Sequence, residues 1–218
     1  MIKIMKKIFF AFLILFSVAG IFAAEDVSDS TLNVGIAFPY MRHDYKINGE
    51  DSIKLFGTGI DFNYRRRNSG YSFGFFMDAN IFFPLYKTVN LSDKTTASKN
   101  LSDYEYFFGV DALAGVYKVV FSSKDITVPA GIGIHLDGYT SKLSENSYSI
   151  KENAYTMGIG GWTNYEINLS DNVGVFAGIK VIYDFYYKMK NTGVSSESSS
   201  GKCDAWSFVP TVGAAIRF

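Results

Sequence analysis

The chain has 218 residues, of which 17% are aromatic, 20 are glycine and only 4 are proline, and this length and composition indicate one domain. Three of its 21 basic residues lie in an N-terminal leader, so the rest of the chain carries 18 basic and 21 acidic residues, a net charge of −3. That acidic balance argues against a nucleic-acid partner. Cys203 is the single cysteine, which excludes an internal disulfide bond.

The N-terminal segment has the pattern of a secretory signal peptide. Three lysines precede an apolar run at residues 8–22, and the small residues Ala23 and Ala24 follow it. The run is shorter than the ~20 apolar residues that a membrane-spanning helix needs. We therefore expect a cleaved signal peptide at residues 1–24 and an exported domain at residues 25–218.

After the leader, apolar side chains alternate with small or polar ones in eight segments. In the first segment, Leu32, Val34 and Ile36 share one parity, while Asn33 and Gly35 lie on the other. A period of two predicts a β-strand with two different faces. The eight predicted strands cover residues 32–41, 56–65, 71–83, 104–116, 126–137, 155–167, 173–185 and 206–218.

The connections between these strands alternate in length. Four are long and polar (42–54, 84–103, 139–153 and 187–204), and three are short (66–70, 118–125 and 169–172). The register near residues 117–125 fits either a bulge or a wide turn. With eight strands, all long connections fall on one side, and the first and last strands can pair antiparallel, which removes both sheet edges. The prediction is an all-β, closed, up-and-down antiparallel barrel with four long extracellular loops and three short periplasmic turns.

The second face of the strands distinguishes a membrane barrel from a soluble one. The outer face of a soluble barrel would be rich in lysine, glutamate and threonine, whereas this polar parity carries many glycines and few charges. Eight strands enclose an interior just wide enough for side chains, so these glycines make room for bulky inward residues. The expected inward residues are Phe76, Phe107, Trp162 and Phe176. The apolar parity is therefore expected to face lipid.

Aromatic residues on the apolar parity gather near the strand ends. The loop-side group is Tyr40, Phe56, Phe83, Tyr104, Tyr155, Tyr183 and Trp206, and the turn-side group is Tyr64, Tyr71, Tyr165 and Phe218. Two such girdles mark the two interfaces of a membrane-spanning barrel.

The chain ends on alternating apolar residues, Val212, Ala214 and Ile216, with the aromatic Phe218 last. Together with the signal peptide and the eight alternating segments, this ending resembles the small outer-membrane β-barrels of Gram-negative-type bacteria, a broad group that includes opacity-type proteins and the barrel of outer membrane protein A. The resemblance covers the whole chain after the leader. It implies an outer-membrane location, and it implies that these four residues are read by the outer-membrane assembly machinery.

Ionisable residues on the polar parity are expected to form a net-acidic network in the lumen. They are Asp61, Arg65, Asp78, Glu105, Asp111, His135, Asp137, Glu166, Lys180, Asp184 and Arg217. Because an unpaired buried charge costs on the order of several kcal/mol, we expect salt bridges that plug the lumen. The alternative is a narrow cation-selective path lined by acidic rings, which the large inward aromatic residues oppose.

The sequence indicates no cofactor, metal site or catalytic centre. His43 and His135 are the only histidines, too few for centres that rely on several. His43 lies beside Asp44 just after the first predicted strand. That position suits the lipid-modifying acylases or deacylases found among small outer-membrane barrels, but the chain has no matching motif.

The leading hypothesis is therefore a non-enzymatic surface barrel. Its long loops would contact a host or environmental ligand, or the barrel would simply brace the outer membrane. The expected partners are outer-membrane lipid, the assembly machinery and a host or surface ligand bound through the loops. The identity of the ligand, the oligomeric state and the role of Cys203 cannot be read from the sequence.

Overall fold

The computed structural model describes residues 28–46, 50–68, 70–90, 96–145, 148–192 and 196–218. The predicted signal peptide lies outside these residues. These residues form ten strands and a short 3-10 turn at Leu101–Asp103. The strands are β1 Ser28–Ala37, β2 Tyr40–Lys46, β3 Glu50–Asn68, β4 Gly74–Asn90, β5 Thr96–Asn100, β6 Tyr104–Ser122, β7 Ile126–Glu145, β8 Tyr148–Asn168, β9 Val173–Thr192 and β10 Ser196–Arg217. Within this described part, no helix is long and apolar enough to span a membrane.

The strands form one antiparallel sheet that closes on itself. β10 returns to the start of the chain and pairs with β1, where Val212 lies opposite Ile36, and with β2, where Phe208 lies opposite Tyr40. β1 and β2 are one barrel strand interrupted at residues 38–39, because Pro39 has no N–H for the ladder. β5 pairs only with β4. The ten ranges therefore build eight barrel strands, and the predicted up-and-down barrel is confirmed.

The outer surface carries a continuous apolar belt. Ile132 is 69% exposed and Ile134 is 65% exposed, whereas the next residue, His135, lies on the opposite face and is 1% exposed. Apolar residues are exposed all around the barrel. They include Ile36, Ile60, Ile81, Val116, Ile159, Val175, Ile179 and Val212. Large aliphatic side chains on the outside of a closed sheet belong in lipid. The alternative of a soluble barrel with an apolar centre is excluded.

Aromatic side chains border the belt at both ends. Tyr40, Phe56, Phe83 and Trp206 are 41–47% exposed on the loop side, and Tyr71, Tyr165 and Phe218 are 49–70% exposed on the turn side. Between these borders each strand crosses in roughly ten residues, as a membrane-spanning strand requires.

The strands run far beyond the loop-side border of the belt. β7 continues to Glu145 and β8 begins at Tyr148, while β9 continues to Thr192 and β10 begins at Ser196. The four long connections lie on one side as predicted, but most of their residues prolong the strands as an extension of the barrel. The period of two was hidden there because the outer face becomes polar outside the lipid and the inner face becomes apolar. A bulge in β9 between Asp184 and Tyr186, opposite Met157 and Gly158 of β8, also shifts the parity.

The turn side of the barrel is compact. β6 has a bulge between Val119 and Phe121, which decides the open register at residues 117–125 in favour of a bulge. The following turn closes where the Ser123 N–H donates to the Ile126 carbonyl at 2.8 Å. In the β3–β4 turn, Gly70 has a φ of +89°, a conformation that other residues rarely adopt.

The belt yields a stability prediction. Ile132→Arg places a charge at the middle of the lipid-facing surface and should lower the free energy of unfolding by about 2–4 kcal/mol. The measurement is urea-induced unfolding in phospholipid vesicles. The matched control is Ile150→Arg, because Ile150 is also half-exposed (46%) but lies in the extension outside the belt. Equal losses in the two variants would contradict the assignment of the belt to lipid.

Candidate functional site

The turn-side half of the interior centres on the fully buried Glu166. Arg65 binds it in bidentate fashion, with Nη1 donating to Oε1 at 2.5 Å and Nη2 donating to Oε2 at 2.6 Å. Asn33 Nδ2 donates to Oε1 at 2.9 Å, and Arg217 Nη2 donates to Oε2 at 3.3 Å. Charge-assisted bidentate bonds of this kind are the strong ones, and here they compensate the carboxylate for its lost hydration.

Aromatic side chains fill the space beside this ion pair. The Phe76 and Trp162 rings meet edge to face at 5.2 Å, and Tyr117 lies 6.4 Å from Trp162 between centroids. The inward residues expected from the sequence, Phe76, Phe107, Trp162 and Phe176, are all buried, with 0–4% exposure. Glycines opposite them leave the necessary room: a Cβ on Gly131 would lie 2.9 Å from the Phe76 ring.

The middle of the lumen is organised by Lys180, which is 3% exposed. Its Nζ donates to Asp61 at 2.9 Å, to Asp78 at 2.5 Å and to Asp111 at 3.2 Å. These carboxylates come from three different strands, β3, β4 and β6, so one ammonium group ties together distant parts of the wall. Two asparagines donate further bonds to the cluster, Asn63 to Asp78 at 3.0 Å and Asn80 to Asp111 at 3.1 Å.

A histidine connects the Lys180 cluster to the next layer. His135 Nδ1 lies 2.7 Å from Asp184 Oδ1, and its Nε2 lies 3.9 Å from Asp111 Oδ1. Thr156 Oγ1 donates to the second oxygen of Asp184 at 3.0 Å. Asp137 is buried in the same region. The polar groups of β6, β7, β8 and β9 thus form one continuous network across the lumen.

An apolar cluster closes the lumen on the loop side. Its buried members are Met41, Ile53, Leu55, Phe82, Phe107, Tyr139, Ala154, Tyr187, Met189, Cys203 and Ala205. Lys87 lies beside it, with its ammonium 5.8 Å from the Phe107 centroid and 5.4 Å from the Tyr139 centroid. Lys87 pairs with Glu152 at 2.6 Å, and the Tyr139 hydroxyl donates to the same carboxylate at 2.5 Å. We call the eleven buried residues of this cluster the apolar plug.

The sequence did not predict the apolar plug. Five of its eleven members lie in segments that were expected to be polar loops, and three more lie between such a segment and a predicted strand: Ile53, Tyr139, Tyr187, Met189 and Cys203, then Leu55, Ala154 and Ala205. The available signal was a local inversion of polarity: in Tyr187–Lys188–Met189–Lys190, apolar and charged residues still alternate. Cys203, whose role the sequence left open, is one of these packed side chains, and its thiol donates to the Asp184 carbonyl at 3.4 Å.

The structure places most of the expected lumen residues inside the barrel. Nine are buried there, with 0–6% exposure: Asp61, Arg65, Asp78, Asp111, His135, Asp137, Glu166, Lys180 and Asp184. Arg217 lies at the turn-side mouth, where its side chain is 20% exposed. That mouth opens into a cavity of about 610 Å³.

Glu105 does not face the lumen, contrary to expectation. Its side chain is 45% exposed on the outer face, where Lys142 and Ser144 donate hydrogen bonds to it and lower its pKa. The cause is a bulge between Tyr104 and Tyr106, which reverses the parity of β6 at this point. For the same reason Tyr104 turns inward, 4.8 Å from Phe107 between ring centroids, and does not belong to the aromatic border.

His43 also points into the barrel and is 1% exposed. Its neighbour Asp44 points the other way and pairs with Arg42 at 3.2 Å on the outer surface. The two residues therefore do not form the lipid-facing pair that the enzyme alternative needs. In the described part of the chain, no group of three or more His, Cys, Asp and Glu side chains is placed to hold a metal ion.

The C-terminal residues lie where the sequence pattern put them. Val212, Ile216 and Phe218 are 43–67% exposed on the lipid face, and Ala214 shares that face. The backbone of Phe218 is paired with Ser30 through both of its polar groups, at 3.0 and 3.2 Å. The end of the chain is thus part of the seam that closes the barrel.

No family model and no curated protein matches the sequence. Solved structures do match the fold. The outer membrane protein OprG from Pseudomonas aeruginosa is similar at 12% identity with a TM-score of 0.62, covering 89% of this chain and 97% of that one. The outer membrane protein AlkL, solved in lipid bilayers, is similar at 11% identity with a TM-score of 0.55, covering 89% and 92%. Neisserial surface protein A is similar at 13% identity with a TM-score of 0.51, covering 86% and 97%. The chain has the fold of the small outer-membrane barrels.

The Lys180 cluster yields a second stability prediction. Lys180→Met leaves three buried carboxylates without their shared cation and should lower the free energy of unfolding by about 3–5 kcal/mol. The matched control is Lys190→Met, the same change on the same strand at an exposed position, which should cost within about 0.5 kcal/mol. Urea unfolding in vesicles, followed by tryptophan fluorescence, measures both.

A compensating variant separates the ion cluster from simple packing. Adding Asp78→Asn to Lys180→Met removes one uncompensated carboxylate and should recover part of the lost stability. If Lys180→Met is no more destabilising than Lys190→Met, the cluster does not hold the barrel together as described.

Proposed function

We propose that this protein is a non-enzymatic outer-membrane barrel that binds a surface ligand through its extension. The observation that carries the proposal is the continuation of paired strands beyond the lipid-facing belt. β9 runs nine residues past Tyr183, to Thr192, in register with β8 and β10. At about 3.3 Å per residue and a tilt near 40°, the extension rises on the order of 20–25 Å above the membrane border.

The extension is built as a stable platform. The apolar plug packs its inner side, while its outer side presents polar and charged residues such as Lys188, Lys190 and Ser200. A barrel that served only to anchor itself in lipid would not require this packed extension. A rigid surface placed clear of the membrane is suited to contact with another surface, because little conformational freedom is lost on binding.

The outer-membrane location is part of the same proposal. The apolar belt, the aromatic borders and the fold shared with outer-membrane barrels all support it, and the exposed C-terminal residues support recognition by the assembly machinery. The filled lumen favours a binding role over transport. Most of the charged lumen groups are matched by ion pairs and hydrogen bonds within the wall, and the apolar plug lies across the path of a hydrated ion.

Shortened hairpins test the surface-binding role. In one variant an Asn-Gly turn replaces residues 190–198, joining the cross-strand partners Met189 and Ser199. In a second, the same turn replaces residues 88–98, joining Lys87 and Lys99. Both variants keep the apolar plug, so both should still fold, as judged by heat-modifiable gel mobility. Cells expressing either variant should lose most of the retention that the intact protein confers on surfaces coated with host matrix proteins or glycans.

The intact barrel and a non-expressing strain are the two references. If retention is unchanged when both hairpins are shortened together, the surface-binding role is wrong, and bracing of the membrane is the remaining role of the barrel.

Planar bilayers test the filled lumen directly. The folded protein should give no discrete conductance steps, because the apolar plug and the Lys180 cluster lie across the lumen and oppose the passage of a hydrated ion. Replacing Asp111 or Asp184 by Asn should leave the bilayers equally silent. Cation-selective steps that weaken in either variant would show that the acidic lumen conducts.

A further inference from the structure

The outer face of the extension carries an unbalanced group of lysines on three neighbouring strands. Lys151 lies on β8, Lys188 and Lys190 lie on β9, and Lys202 lies on β10. The last three are exposed and Lys151 is partly exposed. We call these four residues the lysine patch.

Strand register shows how closely the patch is assembled. Lys188 lies opposite Tyr155 on β8 and Ser200 on β10, and Lys202 lies opposite Tyr186. Adjacent strands are about 4.8 Å apart, and residues two apart on a strand are separated by about 6.7 Å. The lysines therefore share an area on the order of 10 by 20 Å. Side chains that can donate hydrogen bonds lie opposite Lys190 on both sides, Asn153 and Ser198.

One neighbouring carboxylate, Asp204, is exposed two residues from Lys202 on β10, against four lysines. The outward positions at residues 149–155, 186–192 and 198–202 include no Asp or Glu. Glu152 points inward to Lys87. None of the ion pairs in the described part of the chain involves the patch, whereas Arg42 and Lys142 elsewhere on the outer face each have a carboxylate partner. The patch is therefore a local positive field on a barrel whose balance is otherwise acidic.

The lower part of the patch, Lys188 and Lys202, lies just above the lipid-facing belt, and Lys151, opposite Thr192, lies near the top of the extension. Tyr183 and Trp206, whose ring centroids are 4.9 Å apart, mark the border on β9 and β10. Just beyond that border, Phe185 and Tyr186 are still 42% and 40% exposed. On β9 the next outward residue is Lys188, and on β10 the exposed Asp204 lies between Trp206 and Lys202. The ammonium groups of Lys188 and Lys202 are thus at the height of lipid headgroups and face sideways, not upward from the tip.

We propose that the lysine patch binds the phosphorylated headgroup of an outer-leaflet lipid. Lysine is a point-charge ligand for phosphate, and basic residues beside an anionic leaflet contribute favourably one by one. The exposed Phe185 and Tyr186 contact the acyl chains of the same lipid, so one molecule bridges the belt and the patch. This proposal rests on the membrane position of the barrel and is independent of the surface-binding role.

The test measures lipid binding to the full-length folded protein in a neutral detergent by native mass spectrometry. The probes are bisphosphorylated lipid A, the same lipid with its phosphates removed, and inorganic phosphate in large excess as a competitor. The variant is the triple substitution Lys188→Gln, Lys190→Gln and Lys202→Gln. The matched control removes three charges elsewhere, Lys54→Gln, Lys118→Gln and Lys124→Gln. Heat-modifiable gel mobility verifies that all proteins are folded.

The intact protein and the control should bind the phosphorylated lipid more tightly than the dephosphorylated one. The patch variant should lose about a hundredfold in affinity, from about fivefold per lysine, and should no longer distinguish the two lipids. Unchanged affinity in the patch variant, or equal binding of both lipids by the intact protein, would overturn the proposal. Displacement of the lipid by inorganic phosphate would assign the patch to free anions and overturn it as well.

Discussion

A closed sheet in lipid must satisfy every backbone hydrogen bond within itself and place apolar side chains on its outside. That requirement determines the rest of this molecule. With isoleucine, valine and phenylalanine committed to the outer belt, the narrow interior of eight strands receives the polar and charged parity. Charges in such an interior need partners, so the inside of the barrel becomes an ion-pair network.

The network also links parts of the barrel that are distant along the chain. Glu166 on β8 is held by Arg65 of β3 and by Arg217 at the end of β10, and Lys180 on β9 binds carboxylates of β3, β4 and β6. A buried ion pair is weak evidence for net stability, because desolvation offsets much of its attraction. Here it fixes which strands face each other across the lumen and fills the middle of the barrel.

Outside the membrane the same strands reverse their polarity. The apolar plug occupies the inner side of the extension, and lysine, serine and asparagine occupy the outer side. The barrel thus has two levels: within the lipid-facing belt its interior is polar, and in the extension, which meets water, its interior is apolar. Bulges in β6 and in the β9–β10 pair lie near this change and re-aim the side chains that follow them. The proposed surface contact and the proposed lipid site both belong to the extension.

The sequence determined the barrel, the number of strands, the lipid-facing parity and most lumen residues, because a period of two is a local property that one pass along the chain can read. Only the tertiary structure decided that Glu105 and Tyr104 exchange faces, and that the long connections continue as strands around an apolar plug. These features depend on bulges and on the medium that each level of the barrel meets. A bulge is defined by the pairing of two strands, and the medium is set by the height of a residue in the closed barrel. Neither can be read from the order of residues in one segment.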